Sequence, residues 1–289
     1  MTVFSLQAQP ADAASWSGLA SRAEELGFDS LLAADHPGAC ASPFVALAAA
    51  AAVTSRIRLG SYVSNAGVRE AVHLAADVAT LDVVSAGRAR LGIGAGHTPA
   101  EWTAIGRERP DVRGRVDRCL AVTEAVRALL DGSAPGLDRP RPVQERIPLT
   151  LGTANSRMLR WAGEHAEIVG LSGLGRTLPD GHMHETRWRT AQIEHQVAQV
   201  AAGAAGRSHP PALEVLVQML EVTDDAEKAA APHAERLGIP VDELLTAPFA
   251  LFGTYDEIRA AVRAHEKRWG VTRYVVREPA LEAVGTLMR

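Results

Sequence analysis

Short apolar runs rich in β-branched residues alternate with longer stretches of helical period along the whole chain, and this alternation constrains the fold more than any other feature. The runs Val3–Gln7, Ser30–Ala34, Ile57–Val63, Ala89–Gly94, Leu149–Gly152, Ile168–Leu171, Leu213–Glu221 and Arg273–Val276 read as strands. Helical patterns fall near Ala13–Leu26, Pro43–Thr54, Arg69–Ser85, Arg113–Leu130, Ser156–His165, Arg187–Ala201, Ala226–Leu237 and Tyr255–Trp269. Strand–helix–strand units make parallel pairs with right-handed crossovers. Eight of them predict an α/β fold, a (β/α)8 TIM barrel, over residues 1–289 as a single domain. The long segments Gly96–Val112 and Ser172–Glu185 predict insertions after strands 4 and 6. Asp131–Ile147, which follows a helix, reads as a surface excursion at the bottom of the barrel. The competing fold, an open doubly wound sheet, ordinarily carries a glycine-rich fingerprint after its first strand. Here that strand runs into Gln7-Ala8-Gln9-Pro10.

Composition narrows the class. A net charge of −4 lacks the basic excess of a nucleic-acid binder. Two cysteines, Cys40 and Cys119, do not make a disulfide framework and suit a reducing, cytoplasmic setting. The chain opens without a basic n-region and apolar core, and the alanine run Ala46–Ala52 is too short to span a bilayer, so no membrane partner is expected. No acyl-hydrolase elbow, nucleotide-hydrolase loop or zinc-protease motif is present.

In a barrel, chemistry gathers where the strands end. The second strand ends in Asp35 and His36. His36 could move a proton or donate a hydrogen bond, or be a loop histidine with a structural bond. Asp35 could orient it, bind a cofactor or form a turn. The third strand ends Tyr62-Val63-Ser64-Asn65, which could let a flat ring approach the backbone or be a plain turn. The fourth carries Gly92, Gly94 and Gly96 in strict alternation, then His97, with Ala95 between the last two glycines. That spacing is not a dinucleotide fingerprint and would instead make room for a planar ring. The fifth leads through Gly152-Thr153-Ala154-Asn155-Ser156 into a helix, an anion site for a phosphate or an ordinary cap by Thr153 or Asn155. Arg157 and Arg160 follow one turn on. The sixth ends at Ser172, and its loop holds Asp180, His182, His184 and Glu185, read as a lid or substrate loop with no metal. Glu221 ends the seventh run as a further carboxylate. Thr98-Pro99-Ala100-Glu101, Thr254-Tyr255-Asp256-Glu257 and Thr223-Asp224-Asp225 read as helix starts, with Glu101, Glu257 and Asp225 as capping carboxylates.

Four stretches together resemble the bacterial luciferase-like superfamily of flavin- and deazaflavin-dependent oxidoreductases. They are Arg22 to Ser30 with Asp35-His36, Leu81 to Gly96, Pro148 to Gly152 with Met158 to Ala162, and Phe252 to Ile258. They cover most of the chain in the family's order. The resemblance implies a (β/α)8 barrel and an enzyme using either reduced FMN with dioxygen or the deazaflavin coenzyme F420 with an organic substrate. The Ser172-Gly173-Leu174-Gly175-Arg176 loop is more similar to the F420 branch. By resemblance Asp35 and His36 would lie at the cofactor ring. Tyr62, Val63 and Ser64 would occupy a strand end where relatives often carry a non-proline cis peptide. Asn65, Gly94, Ala95 and Gly96 would flank the cofactor, Gly152, Thr153, Ala154, Asn155 and Ser156 would hold its phosphate, and Ser172 would touch it. F420-dependent sugar-phosphate dehydrogenases carry a glutamate soon after the fourth-strand glycines, where this chain has His97.

The function this implies is hydride transfer between a deazaflavin and a small organic substrate, with His36 and then His97 as the proton-handling residues. An FMN-dependent monooxygenase is the alternative within the enzyme class, and a non-catalytic flavin-binding protein the alternative outside it. Alanine-rich outer helices suit a homodimer.

Overall fold

The computed structural model describes residues 2–178 and 184–289. Its strands and helices form the (β/α)8 barrel expected. The barrel strands are β1 (Val3–Gln7), β2 (Ser30–Ala33), β3 (Arg58–Ser61), β4 (Ala89–Gly94), β5 (Leu149–Gly152), β6 (Ile168–Leu171), β7 (Ala212–Leu216) and β8 (Val271–Arg277). The chain clusters into two compact units.

One unit runs from Leu6 to Gly152 among the described residues. It carries the end of β1 and all of β2 to β5, paired in parallel: Leu6 faces Leu31, Leu31 faces Leu59, Leu59 faces Ala89 and Leu91 faces Leu149. Every residue of β2 and β4 is buried, as parallel strands covered on both faces require. Helix Ala13–Leu26 starts where the Asp12 carboxylate accepts the Ala14 and Ser15 N–H groups, and it stops at Gly27 in the left-handed region. The Asp131–Ile147 excursion is tied down by Asp82, a fully buried carboxylate on helix Ala71–Val84. Asp82 accepts from the backbone of Val143 (2.7 Å) and Gln144 (2.9 Å) and from the Gln144 side chain (2.7 Å).

The other unit comprises residues 2–5, 153–178 and 184–289. In it β7 pairs in parallel with β6 (Val215 facing Leu171) and with β8 (Val215 facing Tyr274). The seventh predicted run, Leu213–Glu221, is two strands. It breaks after Leu216, and Met219–Val222 pairs instead with Ala250–Gly253 in a small separate sheet. After β6, Leu174–Thr177 and His184–Thr186 pair antiparallel. Helix Ser156–His165 packs against helix Thr190–Ala204 so closely that a Cβ on Gly203 would lie 1.9 Å from the Arg160 carbonyl oxygen. The capping box of Thr254 and Glu257 is present, and Asp225 caps helix Ala226–Leu237. No helix among the described residues is long and apolar enough to cross a membrane.

Candidate active site

β2 delivers Asp35 and His36 onto the loop beyond its end, as the sequence suggests. Asp35 is buried, and Arg69 grips it through two bonds, Nε to Oδ2 at 2.6 Å and Nη2 to Oδ1 at 2.8 Å. Its Oδ2 also accepts the Asn65 backbone N–H at 3.1 Å. Both oxygens are thus engaged by the chain itself, and the bidentate fork fixes where β2 and the β3 loop end.

His36 is turned toward a partner that the sequence reading assigned to a helix cap. Its Nδ1 lies 2.6 Å from Oε1 of Glu101, and the two side chains are 36% and 4% exposed. Thr98 does begin a short helix, Pro99–Ala104, but makes no side-chain cap to its backbone. Glu101 instead points inward, and its Oε2 accepts a short hydrogen bond from Asn65 Nδ2. The capping reading of Glu101 is therefore corrected. A carboxylate does stand soon after the β4 glycines, at Glu101, and position 97 supplies a second imidazole. His97 is exposed, with its ring edge-on to His36 at 5.3 Å.

Electrostatics follow from these contacts. The hydrogen bond to Glu101 raises the His36 pKa above its ordinary value. Burial opposes this, and the charges of Glu101 and Asp35 reinforce it. Burial pushes the Glu101 carboxyl up, but the bonds from His36 and Asn65, the His36 charge and the Thr98 hydroxyl outweigh it, and the group lies below its ordinary value. The pair favours an imidazolium over a carboxylate. Nε2 of His36 has no partner among the described residues.

The β3 end carries the Tyr62–Val63 cis peptide that the resemblance implies. Tyr62 is buried, and its carbonyl accepts from Gln7 Nε2 at 2.7 Å. Ser64 is buried and donates to Ser61 Oγ at 2.9 Å. The alternating glycines also have a role within the chain itself. A Cβ on Gly92 would fall 2.2 Å from the Ser61 carbonyl oxygen, and one on Gly94 would fall 2.8 Å from Val63 Cγ2. A Cβ on Gly96 would fall 2.0 Å from Asn65 Oδ1, and one on Gly152 3.0 Å from Val63 Cγ1. These glycines admit the chain's own β3 end, with Val63 half-buried in front of Gly94 and Gly152. Ala95, between them, is half-buried.

In the other unit, Asn155 caps helix Ser156–His165, its Oδ1 accepting from Arg157 (3.0 Å) and Met158 (3.2 Å). Thr153 Oγ1 accepts the Asn155 N–H at 3.0 Å. Ser156 Oγ lies 3.2 Å from His195 Nε2, and Ala154 is half-buried on the same turn. The capping alternative for this loop is realised. Ser172 Oγ accepts from Leu174 N–H at 3.3 Å, and its carbonyl accepts from Gln218 Nε2 at 2.9 Å. Asp180 and His182 lie outside the described residues. Among those described, no group of three potential metal ligands occurs.

Sequence reasoning missed Glu101 and Arg69. The signal for Glu101 was present in its place soon after the β4 glycines, but its capping-box spacing hid it.

The family model described as luciferase-like monooxygenase matches residues 2–240, and the chain belongs to that family of oxidoreductases. An uncharacterized protein of Mycobacterium tuberculosis is 34% identical over 134 residues, 43% of this chain and 48% of that protein. The chain thus spans about half the length of the curated relatives it first matches. An F420-dependent glucose-6-phosphate dehydrogenase of Beutenbergia cavernae is 28% identical over 234 residues, 74% of this chain and 65% of that protein. The structure of a coenzyme F420-dependent tetrahydromethanopterin reductase from Methanopyrus kandleri superposes with a TM-score of 0.75 at 20% identity, covering 98% of this chain and 97% of that one. That last likeness establishes the fold.

Proposed function

We propose that this chain is an oxidoreductase that moves a hydride between coenzyme F420 and a small organic substrate, with His36 as the group that gives or takes the accompanying proton. The observation that carries the reading is the His36 Nδ1–Glu101 contact of 2.6 Å, with the carboxylate buried and the imidazole half-exposed. Reducing a carbonyl by hydride leaves an alkoxide that needs a proton, and oxidising an alcohol releases one. A half-exposed histidine whose pKa is raised by a hydrogen bond to a buried carboxylate suits both directions.

The residues fit a deazaflavin at its reacting end. Val63 and the β4 and β5 strand ends offer an apolar face, and His36 offers the polar group beside it. In the other unit, the turn Thr153 to Ser156 that Asn155 caps is proposed as a phosphate site. When bound, the coenzyme supplies or takes up the hydride. Asp35 and Arg69 hold the His36 loop, and Glu101 stabilises the imidazolium that forms as His36 takes a proton at Nε2. The F420-dependent relative supports the cofactor choice. The family's monooxygenase description keeps a reduced-FMN enzyme using dioxygen as the second reading.

Parallel fluorescence titrations with F420 and FMN, each oxidised and reduced, test the choice. Selective micromolar binding of F420 is expected. Selective binding of reduced FMN with oxygen uptake replaces this reading by the monooxygenase, and tight binding without turnover on any substrate replaces it by a flavin carrier.

A further inference from the structure

Asn65 is held within the chain by its backbone and by both ends of its amide. Its backbone N–H goes to Asp35, its Oδ1 accepts the Gly67 backbone N–H at 2.8 Å, and its Nδ2 donates to Glu101 Oε2. Asn65 is buried at 3% exposure.

The orientation of its amide is determined by chemistry. A backbone N–H can only donate, so the atom facing Gly67 must be the oxygen. The other end is then NH2, which can only donate, so Glu101 Oε2 must accept. The remaining oxygen of an ionised Glu101 also accepts, so His36 Nδ1 must carry hydrogen. The Gly67 N–H thus sets the direction as far as Glu101 Oε2, and the ionised carboxylate, which only accepts, sets it from there to the imidazole. Reversing any link would leave two donors or two acceptors face to face in a buried site.

We propose that Asn65 is a positioning residue: through Gly67–Asn65–Glu101–His36 it holds the Glu101 carboxylate against His36 Nδ1, so that Nδ1 keeps its hydrogen and His36 exchanges its proton at Nε2, and the fixed direction of its own amide shows once residue 101 can both donate and accept. The inference rests on the proton-handling role given to His36 above. In the neutral state His36 is then the Nδ1–H tautomer, with Nε2 a base. In the protonated state Nε2–H is the acid. The other groups facing His36 are His97, edge-on at 5.3 Å, and Asp35, whose charge Arg69 offsets. Cys40 N–H donates to the His36 carbonyl at 2.8 Å. None of these groups changes in the variants below.

The test is the tautomer of His36, read from two-bond proton–nitrogen couplings in the full-length protein with nitrogen-15-labelled histidine, assigned by loss of the signal in His36→Gln. The wild type should show Nδ1–H when neutral. In Glu101→Gln the new amide must give its oxygen to Asn65 and its NH2 to His36, so the tautomer should invert to Nε2–H by about tenfold or more, since the wrong pairing leaves buried groups unsatisfied. Adding Asn65→Leu frees the glutamine to turn and should remove that bias, so that Nδ1–H is populated again. If the leucine variant does not fold, Asn65→Asp in the same background keeps the volume and presents only acceptors. It forces the glutamine NH2 toward position 65 and restores Nδ1–H. A Glu101→Gln protein that stays Nδ1–H, or a double variant that stays Nε2–H, overturns the proposal. These spectra are recorded without cofactor, so a failure of F420 to bind the wild type would count against the proposed function and leave this result standing.

Discussion

Gly96→Ala is the most informative single change at this site. Gly96 has φ of +70°, and a Cβ built there lies 2.0 Å from Asn65 Oδ1, 2.5 Å from its Cγ and 2.7 Å from its Nδ2. Two costs follow. Holding an alanine in the left-handed region costs about 1–2 kcal/mol. A carbon cannot sit 2.0 Å from an oxygen, so the Asn65 amide must move by more than 1 Å (roughly the shortfall from van der Waals contact). That shift breaks its bond to Gly67 N–H and its bond to the Glu101 carboxylate. Losing one neutral and one charge-assisted hydrogen bond costs about 2–4 kcal/mol. Gly106 isolates the first cost, because its φ is also +70° and nothing lies within 4 Å of its Cβ position. Guanidinium unfolding of the two alanine variants, compared at unchanged slope, gives the difference directly. Gly96→Ala should be less stable than Gly106→Ala by about 2–4 kcal/mol. Equal stabilities would refute the reasoning that Gly96 is a glycine in order to admit Asn65.

Three further outcomes are expected. Gly203→Ala should destabilise by about 1–3 kcal/mol through overpacking against the Arg160 carbonyl, whereas Gly206→Ala, with nothing within 4 Å, should be within about 0.5 kcal/mol of the wild type by thermal unfolding. His36→Ala should lower turnover at least about tenfold with F420 binding intact; unchanged turnover removes His36 from the chemistry. The His36–Glu101 pair should stabilise the fold within a defined pH window. The raised His36 value means its contribution is full below its ordinary pKa of 6.5 and is lost as pH rises through the raised one. The lowered Glu101 value means its contribution is full above 4.5 and is lost as pH falls through the depressed one. Urea unfolding of wild type and His36→Gln should therefore differ most between those two ordinary values and converge at alkaline pH. A difference that grows above neutrality would contradict the pairing.

The barrel was legible because each of its signals is local. Ala89–Gly94, Leu149–Gly152 and Ile168–Leu171 end where their apolar runs end, and helices Ala13–Leu26 and Tyr255–Trp269 start and stop at their own caps. The break in Leu213–Glu221 was not legible, because the partner that splits it, Ala250–Gly253, lies some thirty residues further on. The site was half legible for the same reason. Asp35, His36 and the cis Tyr62–Val63 bond come from strand ends and from family likeness. Glu101 sits where a capping box would put it, and only contacts 36 and 65 residues away in sequence, to Asn65 and His36, pull it inward.

The terminal donor in the chain behind His36 has a consequence for how this site can change over generations. Side chains are what mutation replaces, and here the element that sets direction is a peptide N–H. Position 67 is also closed to any larger residue, since a Cβ there would fall 2.1 Å from the Trp102 ring. Variation at position 101 can therefore change which imidazole nitrogen carries hydrogen, while the direction of the Asn65 amide stays set by the backbone. A lineage that needs the Asn65 amide reversed must rebuild the loop itself.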